Sequence, residues 1–247
     1  MDQERKQLNR IGTRKVHYQI QEQLQAAGLK WGRDKLFELM REYNLLIKPE
    51  RRYVQTTMSK HWMRKWPNLI KKMEVTAPDQ VWVSDITYIK TREGNCFLNM
   101  ITDAYSRKIV GYAVDSTMET NKMIQALVMA IGQKSNTGAQ TIHHSDRGLQ
   151  YCSKEYARLT AQHQIRLSMT ENGDPYENAL AERMNRTMKE EFTRQSNYLD
   201  IQQVKQLVQE SVILYNTRRP HLALKMKTPQ EVYITKNPRQ LNVIGEI

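Results

Sequence analysis

Between Val81 and Val114 the chain carries three runs of β-branched and aromatic residues: Val81–Ile89, Cys96–Ile101 and Ile109–Val114. The connections between them are too short for a crossover, so the runs are expected to pair as an antiparallel meander. The period then changes. Glu119 to Gly132 reads as a helix, with Met123, Leu127 and Ile131 on a four-residue spacing. Thr141–His144 reads as a short strand, Ser153 to His163 as a helix capped by Ser153, and Ile165 to Met169 as a fifth strand. Two long helices, about Tyr176 to Arg194 and about Ile201 to Arg218, precede a Pro-punctuated tail. A meander followed by alternating helix and strand implies an α/β fold on a sheet of mixed direction.

Upstream of this body, Val16, Ile20 and Leu24 recur every fourth residue, Gly28 interrupts, and Leu36, Leu39, Met40 and Tyr43 resume a helical stripe. The pattern is helix, turn, helix. Charge follows the same division: residues 1–78 hold 17 Lys and Arg against 8 Asp and Glu, whereas the remainder holds 21 against 18. The net charge is +12, which points to a polyanionic partner, nucleic acid first. Arg33, Lys35 and Arg41 on or beside the second helix, with Arg51 and Arg52 in the basic run after it, suit a helix laid against duplex DNA. A plain helical hairpin with solvated charges fits the pattern equally well. His61 to Lys72, with two Trp among basic residues, reads either as a helix ending near Pro67 or as a basic linker.

Several classes are excluded or disfavoured. No run approaches the roughly 18 apolar residues needed to cross a bilayer, and the start lacks the apolar stretch of a secretory signal. A soluble intracellular protein is expected. Cys96 and Cys152 stand far apart with no CxxC partner, which argues against a disulfide framework or a cysteine zinc site. The six His show no zinc-ligand spacing with them.

Three acids stand out by position. Asp85 lies in the middle of the most strand-like segment, where a carboxylate is costly unless compensated. Asp146 directly follows the fourth strand, at a strand end of the kind where α/β sheets bind ligands. Glu182 is followed by Arg186 at i+4 and Lys189 at i+7, so one helix face presents a carboxylate and then two cations. Singly, each has an ordinary reading: an edge-strand surface residue, a turn former, half of a helix ion pair. Together, in a basic protein, they are the residue types a divalent metal site for phosphoryl transfer requires, because hard Mg²⁺ prefers carboxylate oxygen.

The segments VWVSDITYI, ITDAYSRKIVGYAV, HHSDRGLQYCS, SMTENGDPYENALAERMNRTMKEEF and YNTRRPHLALKMKTPQEVY resemble the catalytic core of insertion-sequence transposases of the OrfB type, in the insertion-sequence-3 family, related to retroviral integrases. Asp146 and Glu182 are separated by 35 residues, the spacing by which that group is named. The resemblance covers 79–235, and GLKWGRDKLFELMREYNLL is similar to the family's helix-turn-helix extension.

The resemblance implies a ribonuclease H-like fold, a mixed five-stranded sheet flanked by helices and preceded by a small basic all-α segment. The expected division is 1–55 basic helix-turn-helix segment, 56–78 basic linker, 79–235 catalytic core and 236–247 tail. It also implies that Asp85, Asp146 and Glu182 are the catalytic, metal-binding triad for Mg²⁺, with Mn²⁺ as a substitute. Lys189 matches the basic residue two turns beyond the glutamate, and Arg186 and Asn178 match positions that face the DNA end in related integrases.

The loop of Asn172, Gly173, Asp174 and Pro175 is expected to be mobile until substrate or metal binds. Asp103 is read as structural, pairing with Arg107 or capping a turn. At most one of His143 and His144 is expected to reach the site. Arg218-Arg219-Pro220-His221 is read either as a phosphate- or partner-contacting turn or as a C-terminal helix cap.

The implied activity is metal-dependent cleavage at transposon ends and transfer of a 3′-hydroxyl to target DNA by a homo-oligomer. In this family an upstream reading frame supplies a further DNA-recognition protein, so this chain is expected to be the downstream product alone or to start late. A bacterial cytoplasmic, nucleoid-associated location and no membrane partner are expected. The alternatives are a ribonuclease H-like nuclease that only hydrolyses and a non-catalytic DNA-binding regulator of transposition.

Overall fold

The computed structural model describes residues 8, 10–47, 65–134, 140–171 and 175–235. Its centre is a five-stranded sheet of order β3-β2-β1-β4-β5, formed by β1 (Val81–Thr91), β2 (Gly94–Asp103), β3 (Ile109–Asp115), β4 (Thr141–Ser145) and β5 (Ile165–Met169). The meander is antiparallel as expected, and β4 and β5 join it in parallel to β1. Arg92 and Glu93 form the turn between β1 and β2, and Gly94 follows at φ +122, a value that favours glycine.

Helices cover both faces, which is why the β1 run is hydrophobic without a clean alternation. On one face α4 (Thr120–Gln133) and α5 (Lys154–Gln162) bury Trp82, Ile101, Val110, Tyr151 and Tyr156. On the other, α6 (Ala179–Thr187) and α7 (Ile201–Thr217) bury Ile89, Leu98 and Met100 against Met184, Val208 and Tyr215. Ser153 caps α5 by accepting from Tyr156 N, as its sequence implied. At Gly111 a Cβ would lie 2.1 Å from the Ala126 carbonyl oxygen, so β3 takes α4 in direct backbone contact only because no side chain intervenes. The exposed edge of β3 is closed at its start by Asn216, whose amide accepts from Ile109 N (2.9 Å) and donates to Ile109 O (3.0 Å).

The last helix, α8 (Pro229–Thr235), is tied back to the beginning of the sheet. The Tyr233 hydroxyl donates to the buried Asp79 carboxylate at 2.9 Å, and Trp82 Nε1 donates to the same group at 3.2 Å. Asp79 adopts φ +64, a left-handed conformation held by these partners. Asp103 is structural, as expected: Ser106 N and Oγ and Asp79 N all donate to it. It caps the turn before β3.

The amino-terminal unit consists of α1 (Thr13–Gln19), α2 (Gln21–Ala26) and α3 (Arg33–Glu42). Leu8, Ile11, Val16, Ile20, Leu36 and Met40 form its core, and Phe192 and Leu214 of the main body pack against that core. Tyr43, expected on the buried stripe, is 64% exposed because α3 ends one residue before it.

Between the unit and the sheet, the described part of the tract expected as helix or linker, from 65 to 72, contains no helix. It lies along β5, with Met169 N donating to Pro67 O and Leu69 N to Ser168 Oγ. The helix expected over Tyr176 to Arg194 is interrupted twice: a 3₁₀ turn over Pro175–Asn178 leads into α6, and α6 continues as a π turn over Met188–Phe192. Among the described residues no helix is long and apolar enough to cross a membrane.

Candidate active site

Asp85 stands on the central strand of the sheet, so the edge-strand reading of this residue does not hold. Side-chain parity decides its face. Val83 packs against Ala181 and Ile89 against Met184 and Met188, whereas Trp82 and Ile86 join the opposite core. Asp85 therefore shares the α6 face. Asp85 Oδ2 accepts from Asn185 Nδ2 at 2.8 Å, and Oδ1 accepts from Ile86 N at 2.8 Å.

The parallel pairing of β1 with β4 supplies the second acid. Ser84 is in register with Ser145, so Asp85 and Asp146 are the next residues along two neighbouring strands, which in a sheet lie about 4.8 Å apart. Asp146 leaves the strand end with Oδ1 accepting from Gly148 N at 3.0 Å. Burial, and then the charge of Asp146, push the Asp85 carboxyl up to about 7; Glu182 adds a smaller push, and the two hydrogen bonds oppose it.

Glu182 is in the first turn of α6, on its exposed side. Partial burial raises its carboxyl and Arg186 opposes the rise. Lys189 follows in the π turn with its ammonium 4.2 Å from the centre of the Tyr88 ring. Burial lowers that ammonium, while the charge of Asp85 works the other way. The three acids thus share one field.

The donor set suits a hard divalent cation. It is made of carboxylate oxygens, one on the central strand and one just past the end of its neighbour, and the repulsion felt by Asp85 is what a cation would relieve. Beside it, Asn185 Oδ1 is buried with no hydrogen-bond partner. Among the described residues no three His, Cys, Asp or Glu side chains are gathered closely enough to ligate an ion. Strand register brings two of the acids together, and Glu182 stands on a separate helix.

Not every expected position faces this site. Asn178, expected to face a DNA end, is turned inward: it is 5% exposed and its amide donates to Ser84 O at 3.0 Å. It anchors the start of α6 to β1 immediately before Asp85. Arg186 is exposed, on the same helix as Glu182. Arg33, Lys35 and Arg41 are exposed on α3, well apart in sequence from the acids, and Arg33 pairs with Asp34 (2.8 Å) and Lys35 with Glu38 (3.4 Å). With Glu42 beside Arg41, this helix face is of mixed charge, because each cation has an acid next to it or within a turn. Arg51, Arg52 and the loop residues Asn172, Gly173 and Asp174 lie outside the described residues.

His144 shares the face of Asp146 but bonds to Ser168 Oγ (2.8 Å), while His143 points to the opposite core beside Tyr151 and Tyr156. Arg218 is the C-cap of α7, its N and that of Arg219 both donating to Leu214 O, so the cap reading holds for the backbone, but the Arg219 side chain turns inward. It is 6% exposed and forks onto Glu191, with Nε–Oε2 2.7 Å and Nη2–Oε1 2.6 Å.

Asn185 is the residue at this site that sequence reasoning passed over. Its spacing, three residues after Glu182 and so one turn along the same helix, was the available signal.

Family models described as the integrase core domain match residues 75–175 and 163–229. The chain is 36% identical to an uncharacterized 31 kDa protein of insertion element IS600 from Shigella sonnei, over 88% of this chain and 79% of that one. It is 35% identical to the transposase of insertion sequence IS904 from Lactococcus lactis, over 70% of each. Transposase InsF of insertion sequence IS3A from Escherichia coli is 28% identical over 73% of this chain and 62% of its own length. Among solved structures, the catalytic core of HTLV-2 integrase in complex with magnesium aligns at a TM-score of 0.52 and 18% identity, over 64% of this chain and 97% of that one. A simian T-cell lymphotropic virus intasome aligns at 0.56 and 16%, over 90% of this chain and 74% of the other.

Proposed function

The chain belongs to the insertion-sequence transposases with an integrase-type core, polynucleotidyl transferases of the DDE class, and from that premise we propose that Asp85, Asp146 and Glu182 carry its chemistry. The observation that carries the assignment is the register of Ser84 with Ser145, which puts Asp85, midway along β1, beside Asp146 at the carboxyl end of β4. Magnesium would be held by these three carboxylates, with manganese able to replace it. When bound it supplies electrostatic stabilisation of the charge that builds up on a phosphodiester in displacement.

The chain's own residues set the geometry. Asp85 and Asp146 are fixed by the sheet, and Asn185 and Ile86 N orient the Asp85 carboxylate. Glu182 completes the set from α6, and Arg186 and Lys189, further along the same helix, meet the backbone phosphates. The acids are not nucleophiles. In the first step water attacks phosphorus, the P–O3′ bond breaks and a 3′-hydroxyl is freed. In the second that hydroxyl attacks a phosphodiester of the target strand, whose own 3′-oxygen leaves.

The unit over 10–46 would hold DNA through Arg33, Lys35 and Arg41, with Arg51 and Arg52 beyond it, as a segment distinct from the core. Two DNA ends must be brought together, which calls for at least two copies of the chain. An upstream-frame protein would add recognition of the ends.

The test uses a pre-branched DNA substrate with Mg²⁺ or Mn²⁺, comparing the natural chain with Glu182→Gln. Joined product that requires both metal and Glu182 is expected. Cutting without joining would favour a nuclease, and joining by Glu182→Gln would overturn the site assignment.

A further inference from the structure

The helix that carries Glu182 does not end in solvent. Nine residues further on, about 13 Å along a helix axis, Glu191 sits in the π turn Met188–Phe192. There Thr193 N reaches back to Met188 O at 2.9 Å, five residues away. Such a turn adds a residue to the helical circuit and re-aims the side chains after it. Glu191 receives the Arg219 fork, and Arg219 Nη1 donates to His221 Nε2 at 3.0 Å. The neighbouring Phe192 packs on the core of the amino-terminal unit.

A second cation reaches the same carboxylate from that unit. Lys15 of α1 places Nζ 3.8 Å from Glu191 Oε1, with its side chain only 13% exposed. Burial first, and then the nearby Arg219 charge, pull the Lys15 ammonium down to about 8, and Glu191 is what holds the charge there. Gln19 of the same helix donates to Arg218 O at 3.2 Å. The arrangement is unequal. Arg219 already occupies both oxygens of Glu191, so the carboxylate stays satisfied if Lys15 withdraws, whereas Lys15 has no second carboxylate within ion-pair distance among the described residues. Lys15 is thus the separable member of the cluster, and Arg219 the permanent one.

We propose that Lys15 is a positioning residue for the transposase reaction: through Glu191 it latches the amino-terminal unit to the helix bearing Glu182, so that the seating of that unit sets the placement of Glu182. The proposal rests on the assignment of Glu182 made above. It predicts that loss of Lys15 acts on turnover and leaves DNA affinity alone.

The experiment measures joining of the pre-branched substrate by the full chain as wild type, Lys15→Met and Lys15→Arg, with a thermal melt of each. Lys15→Met is expected to lower kcat about fivefold to tenfold at unchanged KM and melting temperature, and Lys15→Arg to restore it. The double variant Lys15→Met with Glu191→Gln is expected to be no slower than the slower single variant. A rise in KM at unchanged kcat would make the unit a mere tether and overturn the proposal, as would equal activity of the Met variant and wild type.

Hydrogen exchange of amides 188–193 provides a readout that does not depend on the function assignment. If wild type joins no DNA, that assignment fails on its own. Exchange faster in Lys15→Met than in Lys15→Arg would then still establish the latch, and identical exchange would refute it.

Discussion

Asn185 donates its side-chain amide to Asp85 Oδ2 at 2.8 Å, linking the helix of Glu182 to the central strand through a half-buried bond between an amide and a carboxyl group. Groups that orient a metal-binding carboxylate typically matter by about 10- to 100-fold when removed. Asn185→Ala is therefore expected to lower kcat for strand joining by about that factor with the fold intact. Steady-state kinetics beside a circular dichroism melt would check it; unchanged kcat would mean that Ile86 N alone orients the carboxylate.

Tyr88 holds the Lys189 ammonium 4.2 Å from its ring centre, a cation–π contact worth about 0.5–1 kcal/mol at a partly exposed position. Tyr88→Phe keeps the ring and is expected to bind DNA as wild type does. Tyr88→Leu removes it and should weaken binding about twofold to fivefold at low salt. Lys189→Ala should in addition reduce the slope of log affinity against log salt by about one. Fluorescence anisotropy with a labelled duplex across a salt series would separate the three.

Three buried imidazoles favour unfolding in acid. Burial pushes His143 down to about 3, His144 to about 4 and His221 to about 2, the last helped by Arg219, so all three stay neutral in the folded chain where the unfolded chain protonates them near 6.5. Unfolded molecules then bind the extra protons. The stability these groups contribute is present above pH 6.5 and is lost as pH falls below it, at about 1.4 kcal/mol per pH unit for each histidine. The buried carboxyls of Asp85 and Asp103, raised to about 7 and about 6, take up protons in the folded chain and offset two of the three imidazoles, so stability from urea unfolding should fall between pH 7.5 and 4.5 with a slope of about one proton. His221→Gln is expected to reduce that slope by about one.

Tyr233 and Asp79 fasten the two ends of the core together. Tyr233→Phe leaves the buried carboxylate short of a donor, for which about 1–3 kcal/mol is the usual cost. The expected result is a lower urea midpoint at unchanged m-value, with the joining activity per folded molecule preserved. A change in m-value would instead signal that α8 has come away from the sheet.

Much of this architecture was legible in the residues. The five strands, the helices over 120–133, 154–162 and 201–217, and the Ser153 cap fall where hydrophobic period and cap chemistry put them, because those signals are local. Asp85 was conspicuous for the same reason, as a charge within a β-branched run. What the residues did not announce depends on partners far along the chain. Asn178, at the start of α6, donates its amide to Ser84 O of β1. Arg219 was expected at the surface or at the dipole of α7 but lies inside, forked onto Glu191. Neither partner is within a helical turn in sequence, so no spacing could announce it.

By itself, then, the sequence determined the order and type of the elements, the basic bias of the first 78 residues and the identity of the acids, all properties carried by neighbouring residues. Tertiary structure alone decided that β1 is central and in register with β4 at Ser84 and Ser145, which sets Asp85 beside Asp146 and raises its carboxyl through burial first and their repulsion second. It also decided that Asn185 meets Asp85 and that the amino-terminal unit meets Glu191. Those pairings come from burying two faces of one sheet and packing the amino-terminal unit on the π turn that follows α6, and burial is a property of the whole chain.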